Sequence, residues 1–291
     1  MVMKTVNMHK GLTLTWMGVA GIYLTDGITG LLVDPYVSRF GLFHILSGLS
    51  LRPDRKRIAS WIGSQGAGDV RAVFVTHTHF DHAADASDFA LALDAALVGS
   101  KSTAILGAAS GMRDERINIL PPGEGYHVGE FSVRYLESRH GPILGNRYLY
   151  PGEITPPLRL PGPAFRYREG GTFSLLIRHG GVKLIHHGSA GYLPGMYSGI
   201  EADIVLLGLA GRGDTHAYLE NVICPVGARI VIPLHHDNFF RSLVGKKTFP
   251  LLPGIRLEEF RKACGVLPAP TRVVEPAVNE PVSLRDLLDR P

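Results

Sequence analysis

Hydrophobic and polar positions alternate over many short segments of the chain, which predicts a protein rich in β-strands. Residues 12–16 alternate apolar and polar side chains, and two apolar segments, 21–24 and 31–33, flank the pair Asp26-Gly27. An Asp-Gly pair between two apolar segments is a strong signal for a β-hairpin. The chain is therefore expected to open with antiparallel strands.

Further strands and helices are predicted along the rest of the chain, separated by turns that contain Gly and Pro. The strands are expected at 70–75, 95–98, 117–120, 126–128, 131–136, 172–177, 182–185, 203–207, 229–232 and 272–274. Helices are expected at 53–62, 83–93, 101–109, 216–223, 257–263 and 284–288, the last with Ser283 as its N-cap. No internal repeat interrupts this order, so a single domain over residues 1–291 is expected.

The segment from Gly141 to Gly171, called here the Pro-rich segment, breaks this pattern. It contains six prolines and several glycines among aromatic and aliphatic residues. A long segment without regular structure is uncommon in a compact domain and is often functional. Its apolar content argues against a solvated linker, so we expect a lid-like insertion at the mouth of a site. A surface insertion without a role is the alternative.

The composition is that of a folded protein with a mild excess of positive charge. Of the 291 residues, 45% are hydrophobic and 19% are charged, which provides a core and argues against disorder. The net charge of +4 favours anionic substrates but does not indicate nucleic-acid binding. A basic cluster at Arg52, Arg55, Lys56 and Arg57 is interpreted as a solvated helix face, with a site for an anionic partner as the alternative.

Cysteine usage and hydropathy indicate a cytoplasmic protein. Cys224 and Cys264 lie far apart and fit neither a disulfide framework nor a zinc ribbon, which favours a reducing compartment. The polar segment 1–10 lacks the apolar core of a signal peptide. No apolar run approaches the roughly 18 residues of a membrane span, so none is expected.

The candidate chemistry is concentrated in the segment 76–82, directly after the apolar strand predicted at 70–75. Four potential metal ligands occur there, namely His77, His79, Asp81 and His82. Imidazole and carboxylate groups are common ligands of zinc and its neighbours, and three protein ligands with one open position form a catalytic site. The segment therefore predicts a metal centre.

Histidines also follow or end three other predicted strands, at 140, at 186–187 and at 235–236. Strand ends at one rim of a sheet lie close together, so residues that are remote in sequence can share one site. Side chains held by rigid strands and their loops are the usual components of such sites.

The motif Thr76-His77-Thr78-His79-Phe80-Asp81-His82 resembles the H-x-H-x-D-H signature of the metallo-β-lactamase superfamily. The order and spacing of 138–141 and 232–235 agree with this family, and the resemblance covers about residues 12–285. It implies an α+β fold, a four-layer αββα sandwich with the metal site at the sheet edge. Segments 232–235 and 237–239 resemble the branch that contains ascorbate-phosphate lactonases and N-acyl phosphatidylethanolamine phospholipase D.

The resemblance also implies the ligands of two metal ions. His77, His79 and His140 would hold the first ion, and Asp81, His82 and His235 would hold the second. Zinc is the expected metal, as one or two ions, with manganese or iron as alternatives. Asp81 is expected to orient the nucleophile and is the predicted catalytic residue.

The chemistry that follows is metal-dependent hydrolysis. A bound divalent metal lowers the pKa of its water to about 7, so that hydroxide becomes available as a nucleophile. The predicted substrate is a small or lipid-like, partly apolar ester, lactone or phosphodiester.

One departure from the family pattern concerns the second ion. The family usually carries a metal-bridging aspartate in a Gly-Asp-Thr-Gly turn, whereas the turn 188–191 of this chain has Ser189. The second ion is therefore expected to bind more weakly or not at all. His187 could replace the missing ligand, Asp214 is a less favoured substitute, and a hydroxide or substrate oxygen that bridges two ions unaided is the third possibility.

Two other functional classes stay open at this point. Ser189 favours a degenerate relative that binds a metal or ligand without catalysis. A nuclease is supported only by the basic cluster at 52–57, and without an aromatic stacking pattern no nucleic-acid partner is expected. Cleavage of β-lactams is disfavoured because a signal peptide is missing.

His216 and His236 are expected to be structural or exposed to solvent.

Overall fold

The computed structural model describes residues 11–143, 147–243, 249–269 and 271–290. The N-terminal segment 1–10, in which a signal peptide was not expected, and residues 144–146 of the Pro-rich segment lie outside the described residues. Within these ranges, the strands form two seven-stranded sheets.

The first sheet is built mainly from the N-terminal part of the chain, and its strand order is β14-β1-β2-β3-β4-β5-β6. Pairing is antiparallel from β14 to β3 and parallel from β3 to β6. Its strands are β1 (Thr13–Gly18), β2 (Gly21–Thr25), β3 (Gly30–Val33), β4 (Val70–Phe74), β5 (Ala96–Gly99), β6 (Ile117–Ile119) and β14 (Pro281–Ser283).

The second sheet is built from the C-terminal part, with the strand order β13-β12-β11-β10-β9-β8-β7. Pairing is antiparallel from β7 to β10 and parallel from β10 to β13. Its strands are β7 (Gly125–Val128), β8 (Phe131–Glu137), β9 (Phe173–His179), β10 (Val182–His187), β11 (Ile204–Gly208), β12 (Ile230–Leu234) and β13 (Arg272–Val273).

Most helices lie close to the predicted positions, and the segment predicted as one helix at 83–93 divides into two. Ser283 caps the last helix as predicted, because its Oγ accepts a hydrogen bond from Asp286 N at 3.2 Å. The helices are α1 (Leu42–Leu46), α2 (Arg55–Gln65), α3 (Phe80–Ala83), α4 (Ala86–Leu93), α5 (Lys101–Ala109), α6 (Thr215–Val222), α7 (Leu257–Cys264) and α8 (Leu284–Asp289).

Three apolar cores hold four layers together. Alternate side chains of both sheets, such as Leu14 and Leu175, pack against each other between the sheets. The outer face of the first sheet packs against α2, α4 and α5, and that of the second sheet packs against α6 and α7. The predicted αββα sandwich is confirmed.

No helix of the described residues is long and apolar enough to span a membrane.

Candidate metal centre

Six of the predicted site residues form two groups at one edge of the sandwich. The three-histidine cluster consists of His77, His79 and His140, and the mixed cluster consists of Asp81, His82 and His235. Within each cluster, the candidate ligand atoms lie within 4.8 Å of one another. The structure therefore brings together the residues that the sequence analysis assigned to each ion.

Each cluster takes residues from both sheets. The segment after β4 and the short helix α3 supply His77, His79, Asp81 and His82 from the first sheet. The loops after β8 and β12 supply one residue to each cluster from the second sheet. The geometry of the centre thus depends on the packing of one sheet against the other.

The three-histidine cluster presents nitrogen lone pairs to its interior. His140 Nδ1 donates a hydrogen bond to Gly141 O at 2.6 Å, which leaves Nε2 as the acceptor nitrogen. This Nε2 lies 3.1 Å from His79 Nδ1. His77 Nε2 is buried and has no hydrogen-bond partner among the described residues. Other buried histidine nitrogens also lack a partner, but His77 is in addition grouped with His79 and His140 within 4.8 Å, which fits a ligand position.

Burial keeps these three imidazoles neutral. It lowers the pKa of His77 well below the ordinary value, and the neighbouring histidines lower it further. Burial, together with His79, lowers the pKa of His140 to about 3. The pKa of His79 is lowered as well, again chiefly by burial. A metal ligand must be deprotonated, so the cluster is ready to bind a cation at neutral pH.

The mixed cluster is centred on the carboxylate of Asp81. Its Oδ2 lies 3.2 Å from His235 Nε2 and 3.8 Å from His82 Nε2. The rings of His82 and His77 lie 3.9 Å apart between centroids, so the two clusters adjoin. This arrangement is suited to two ions or to one ion and a substrate oxygen.

Opposite charges set the protonation of the mixed cluster. Burial alone would raise the pKa of Asp81, but His82 and His235 outweigh it and hold that pKa below its usual value. Burial alone would lower the pKa of His82, but the carboxylates of Asp34 and Asp81 raise it. Asp81 is therefore anionic, and its carboxylate and that of Asp34 favour the protonated form of His82.

Asp34 supports the mixed cluster from behind, a role that the sequence analysis missed. Its carboxylate accepts hydrogen bonds from His82 Nδ1 at 2.9 Å, from Thr76 N at 2.7 Å and from Thr76 Oγ1 at 2.5 Å. The bond to Nδ1 turns His82 Nε2 towards Asp81. A signal was present, because Asp34 also ends an apolar strand, β3, and carboxylates often orient ligand histidines.

A second buried carboxylate, Asp237, fixes the loop that carries His235. Asp237 accepts hydrogen bonds from Val19 N at 2.7 Å and from Arg39 Nη1 at 2.5 Å. Val19 O in turn accepts a hydrogen bond from His235 N at 2.7 Å. His235 has a φ of 53°, an unfavourable backbone conformation that these bonds hold in place.

Ser189 lies beside the loop that carries His140. Its Oγ accepts a hydrogen bond from Gly141 N at 3.1 Å. Arg139 pairs with Gly191 in an isolated bridge, and a Cβ on Gly191 would collide with the carbonyl oxygens of Arg139 and His140. The turn 188–191 therefore positions His140, although it contributes no carboxylate to the centre.

His187 does not join either cluster. It is the last residue of β10 and points to the helix side of the second sheet, where its Nδ1 lies 2.8 Å from both Ser174 Oγ and Tyr197 Oη. His186 points between the sheets, and its Nε2 donates a hydrogen bond to Ala20 O at 2.7 Å. The two histidines lie within the strand rather than beyond its end, so alternation sends them to opposite faces.

The remaining polar candidates also have other surroundings. Asp214 caps α6 by accepting a hydrogen bond from Ala217 N at 2.8 Å. His216 is exposed on the same helix. His236 stacks on Trp16 with ring centroids 4.8 Å apart, which agrees with its predicted structural role.

The Pro-rich segment packs beside the three-histidine cluster. Thr78 N donates a hydrogen bond to Glu169 O at 2.8 Å, and the Leu149 backbone interacts with His79. Ile154, Ala164 and Tyr167 are buried in the core between the first sheet and its helices. The described part of the segment is therefore held on the body of the protein and adjoins the centre.

The donor set fits divalent metal ions. Imidazole and carboxylate groups are suitable ligands for zinc, iron and manganese, and each cluster offers three such groups, with His82 giving up its proton when it binds a cation. The orphaned nitrogen of His77 and the oriented nitrogens of His82 and His140 point to coordination rather than to hydrogen bonding.

Comparisons with known proteins identify the family of this chain. Residues 13–235 match the model of the family described as beta-lactamase superfamily domain. No functionally curated protein gives a significant match.

Three solved structures share the fold at low sequence identity. Igni18, a metallo hydrolase from the archaeon Ignicoccus hospitalis, has a TM-score of 0.59 and 16% identity, over 93% of this chain and 98% of its own. A possible metal-dependent hydrolase from Veillonella parvula has a TM-score of 0.58 and 15% identity, over 94% and 99%. Isothiocyanate hydrolase from Delia radicum gut bacteria has a TM-score of 0.58 and 17% identity, over 94% and 99%.

At these identities the structural matches show the fold, and the family is shown by the sequence match, which spans more than half of the chain. This protein therefore belongs to the family described as the beta-lactamase superfamily domain.

Proposed function

We propose that this protein is a metal-dependent hydrolase. The observation that carries the proposal is the pair of adjoining clusters, each with three buried candidate ligands, at the edge of an αββα sandwich. The family match and the metallo-hydrolases among the solved structures of the same fold support it.

The residues have distinct roles in this proposal. His77, His79 and His140 hold the first ion, and Asp81, His82 and His235 hold a second ion. When bound, a divalent metal makes water nucleophilic near neutral pH and polarises the oxygen of a carbonyl or phosphoryl group. Asp81 belongs to the mixed cluster and is anionic, so its carboxylate would accept a hydrogen bond from the attacking water and orient it.

We further propose an ester, lactone or phosphodiester with an apolar portion as substrate, as in the branch with ascorbate-phosphate lactonases and N-acyl phosphatidylethanolamine phospholipase D. Leu149 of the Pro-rich segment, whose backbone interacts with His79, and its neighbour Tyr148 have exposed apolar side chains. These side chains would form one wall of the substrate site. Zinc is the first metal to test, followed by manganese and iron.

The proposal is tested by metal content and turnover together. The protein, purified without added metal, is analysed by mass spectrometry for bound metals and is assayed on aryl esters, lactones and bis-aryl phosphodiesters. His79→Ala should lose bound metal and lower turnover at least about 100-fold, because removal of a ligand disrupts the first ion. His216→Ala, a change at an exposed histidine, is the control. Absence of turnover with zinc, manganese and iron would contradict the proposal.

The proposed contact between Leu149 and the apolar part of the substrate is tested separately. Leu149→Ser should raise KM for a long-chain ester by about tenfold, because a lost apolar contact costs 1–3 kcal/mol in a substrate pocket. The KM for an acetyl ester should stay the same, since the short chain does not reach the wall. Equal changes for both esters would contradict the assignment.

Ser189 supports a second candidate, a metal-binding relative without hydrolase activity. A hydroxyl is neutral and does not bridge two cations as a carboxylate does. Tight metal binding without turnover on any substrate would favour this candidate. Ser189→Asp should raise the metal content towards two ions per chain if the missing carboxylate limits the second ion.

A further inference from the structure

Helix α1 and the residues that follow it expose an apolar patch, formed by Leu42, Phe43, Leu46 and Leu49. The helix buries none of its residues, and Phe43 and Leu46 are 81% and 76% exposed. Leu42 and Leu49 are about half exposed. Single exposed leucines are ordinary, but four large exposed apolar side chains within eight positions are typical of an interaction site.

Positive charge is concentrated in the segment that carries this apolar patch and in the Pro-rich segment, although Arg39 of the first segment is buried and paired with Asp237. The segments 39–57 and 141–171 carry nine of the 30 basic residues of the chain and three of its 26 acidic residues. Their net charge is therefore +6, whereas the rest of the chain has a net charge of −2. Arg52 and Lys56 are exposed at the start of the basic cluster that follows the patch.

The two basic segments are neighbours in space. Leu51 N donates a hydrogen bond to Gly162 O at 2.8 Å. Arg52, Leu160 and Pro161 line one cavity of about 400 Å³. Exposed Phe165 and Arg166 extend the same combination of apolar and cationic side chains along the Pro-rich segment.

A series of aromatic contacts links helix α1 to the metal centre. His44 of α1 contacts Phe40, with ring centroids 5.7 Å apart, and Phe40 contacts Tyr36 at 6.1 Å. Tyr36 in turn contacts Phe80 at 6.2 Å. Phe80 lies between His79 and Asp81 in the sequence, so a short chain of aromatic contacts joins the patch to both clusters.

We propose that the apolar patch docks this protein on an anionic lipid surface. The four apolar side chains insert at the boundary between headgroups and acyl chains, while Arg52, Lys56 and their neighbours contact anionic headgroups. Charge favours this occupant over a second copy of the chain. In a two-fold dimer through this patch, each cationic surface would face its own equivalent, which is repulsive.

The inference goes beyond the proposed hydrolase activity and does not depend on it, because docking needs neither metal nor turnover. The test is co-sedimentation of the full chain with vesicles of phosphatidylcholine alone or mixed with phosphatidylglycerol. Binding should be strong only with the anionic lipid and should fall as salt is raised, because salt screens exposed charges.

Two variants separate the apolar and ionic contributions. Leu42→Ser with Phe43→Ser and Leu46→Ser, and separately Arg52→Glu with Lys56→Glu, should each weaken vesicle binding at least about tenfold. All five side chains are at the surface, so both variants should unfold at the same temperature as the natural chain. Ile28→Ser and Arg285→Glu change exposed residues elsewhere and should bind as the natural chain does.

Absence of binding to anionic vesicles by the natural chain would overturn the proposal, as would equal losses in the control variants. Light scattering adds a further check. If the natural chain is a dimer that the serine variant converts to a monomer, and vesicle binding is unchanged, the patch is an interface between copies and the proposal fails.

Discussion

At the residue scale, the candidate ligands are held by buried partners that contact no substrate. Asp34 accepts a hydrogen bond from His82, and Gly141 O accepts one from His140. These bonds decide which ring nitrogen is free to bind a cation. Partners of this kind often affect metal affinity by about 10–100-fold.

Asp34→Asn should weaken metal binding at the mixed cluster by about 10–100-fold. The amide is neutral and no longer offers two acceptor oxygens to His82 and Thr76. Titration of the metal-free protein with zinc, in competition with a chelator, measures the effect. The control is Asp69→Asn, which alters a carboxylate bonded to the hydroxyls of Tyr23 and Thr25. An unchanged affinity in Asp34→Asn would show that Asp34 does not orient His82.

The sequence revealed the six candidate ligands but not these supporting residues. The cluster at 77–82 is recognisable because four ligand types occur within six positions. Asp34 directly follows an apolar strand, but that position does not show which histidine it contacts, and nothing in the local pattern shows that Asp237 contacts Val19 and Arg39. The orientation of His187 was also inaccessible, because it depends on the residue at which β10 ends.

At the scale of elements, the helices and strands with strong local signals were predicted well. The helix at Lys101–Ala109 has the predicted bounds, and Ser283 caps α8. Helix α1 was missed because Leu42–Leu46 has no polar face and no capping side chain. Strand β14 was missed because it has three residues and begins with Pro281, so only its pairing with β1 defines it.

One ion pair joins elements of both sheets near the centre. Arg39 and Asp237 are almost fully buried, and Asp237 also binds the turn between β1 and β2. Arg39→Met should lower the free energy of unfolding by about 3–5 kcal/mol, because it leaves a carboxylate buried without its partner. Chemical denaturation measures this.

The matched control for that prediction is Arg113→Met. Arg113 is 65% exposed and pairs with the exposed carboxylates of Asp94 and Glu115, so its removal should cost at most about 1 kcal/mol. Similar losses in the free energy of unfolding of the two variants would mean that the buried ion pair stabilises the fold no more than a surface ion pair does.

The stability of the fold is expected to depend on pH through Asp85, a buried residue directly before α4. Asp85 accepts hydrogen bonds from Val37 N and Ser38 N at 2.7 and 2.8 Å, and burial raises its pKa to about 6. Because this pKa is raised above the unfolded value, the folded state prefers the protonated acid. The protonated Asp85 therefore contributes its full stabilisation to the free energy of unfolding below about pH 4. This stabilisation is lost as the pH rises through about 6.

Asp85→Asn removes this titration. Relative to the variant, the free energy of unfolding of the natural chain should fall by about 3 kcal/mol between about pH 4 and about pH 7. Denaturation series across this range measure the difference. Parallel pH profiles for the two proteins would contradict the raised pKa.

At the scale of the whole molecule, the metal centre joins two sheets that come from successive parts of the chain. Strands β1–β6 precede β7–β13, and only β14 returns to the first sheet. The αββα architecture followed from the motif and from the order of the strands. The path of the Pro-rich segment did not, because its contacts with Thr78 and Ser102 have no local signal.

Metal should therefore stabilise the whole fold. Zinc at one hundred times its dissociation constant should add about 2.7 kcal/mol to the free energy of unfolding, provided that the unfolded chain does not bind it. Thermal denaturation with and without zinc measures the shift. His140→Ala should abolish most of it, and His216→Ala should retain it. An equal shift in both variants would place the stabilising ion elsewhere.

The division of each cluster between the two sheets also bears on how the protein matures during synthesis. His235 follows His140 by 95 positions, so the last residue of the three-histidine cluster leaves the ribosome well before the last residue of the mixed cluster. N-terminal parts of a chain generally fold first as it is made. The positions of the three histidines nevertheless depend on strands β9 to β13, which follow His140 in the chain, so neither cluster can take its final geometry until the second sheet has been synthesised.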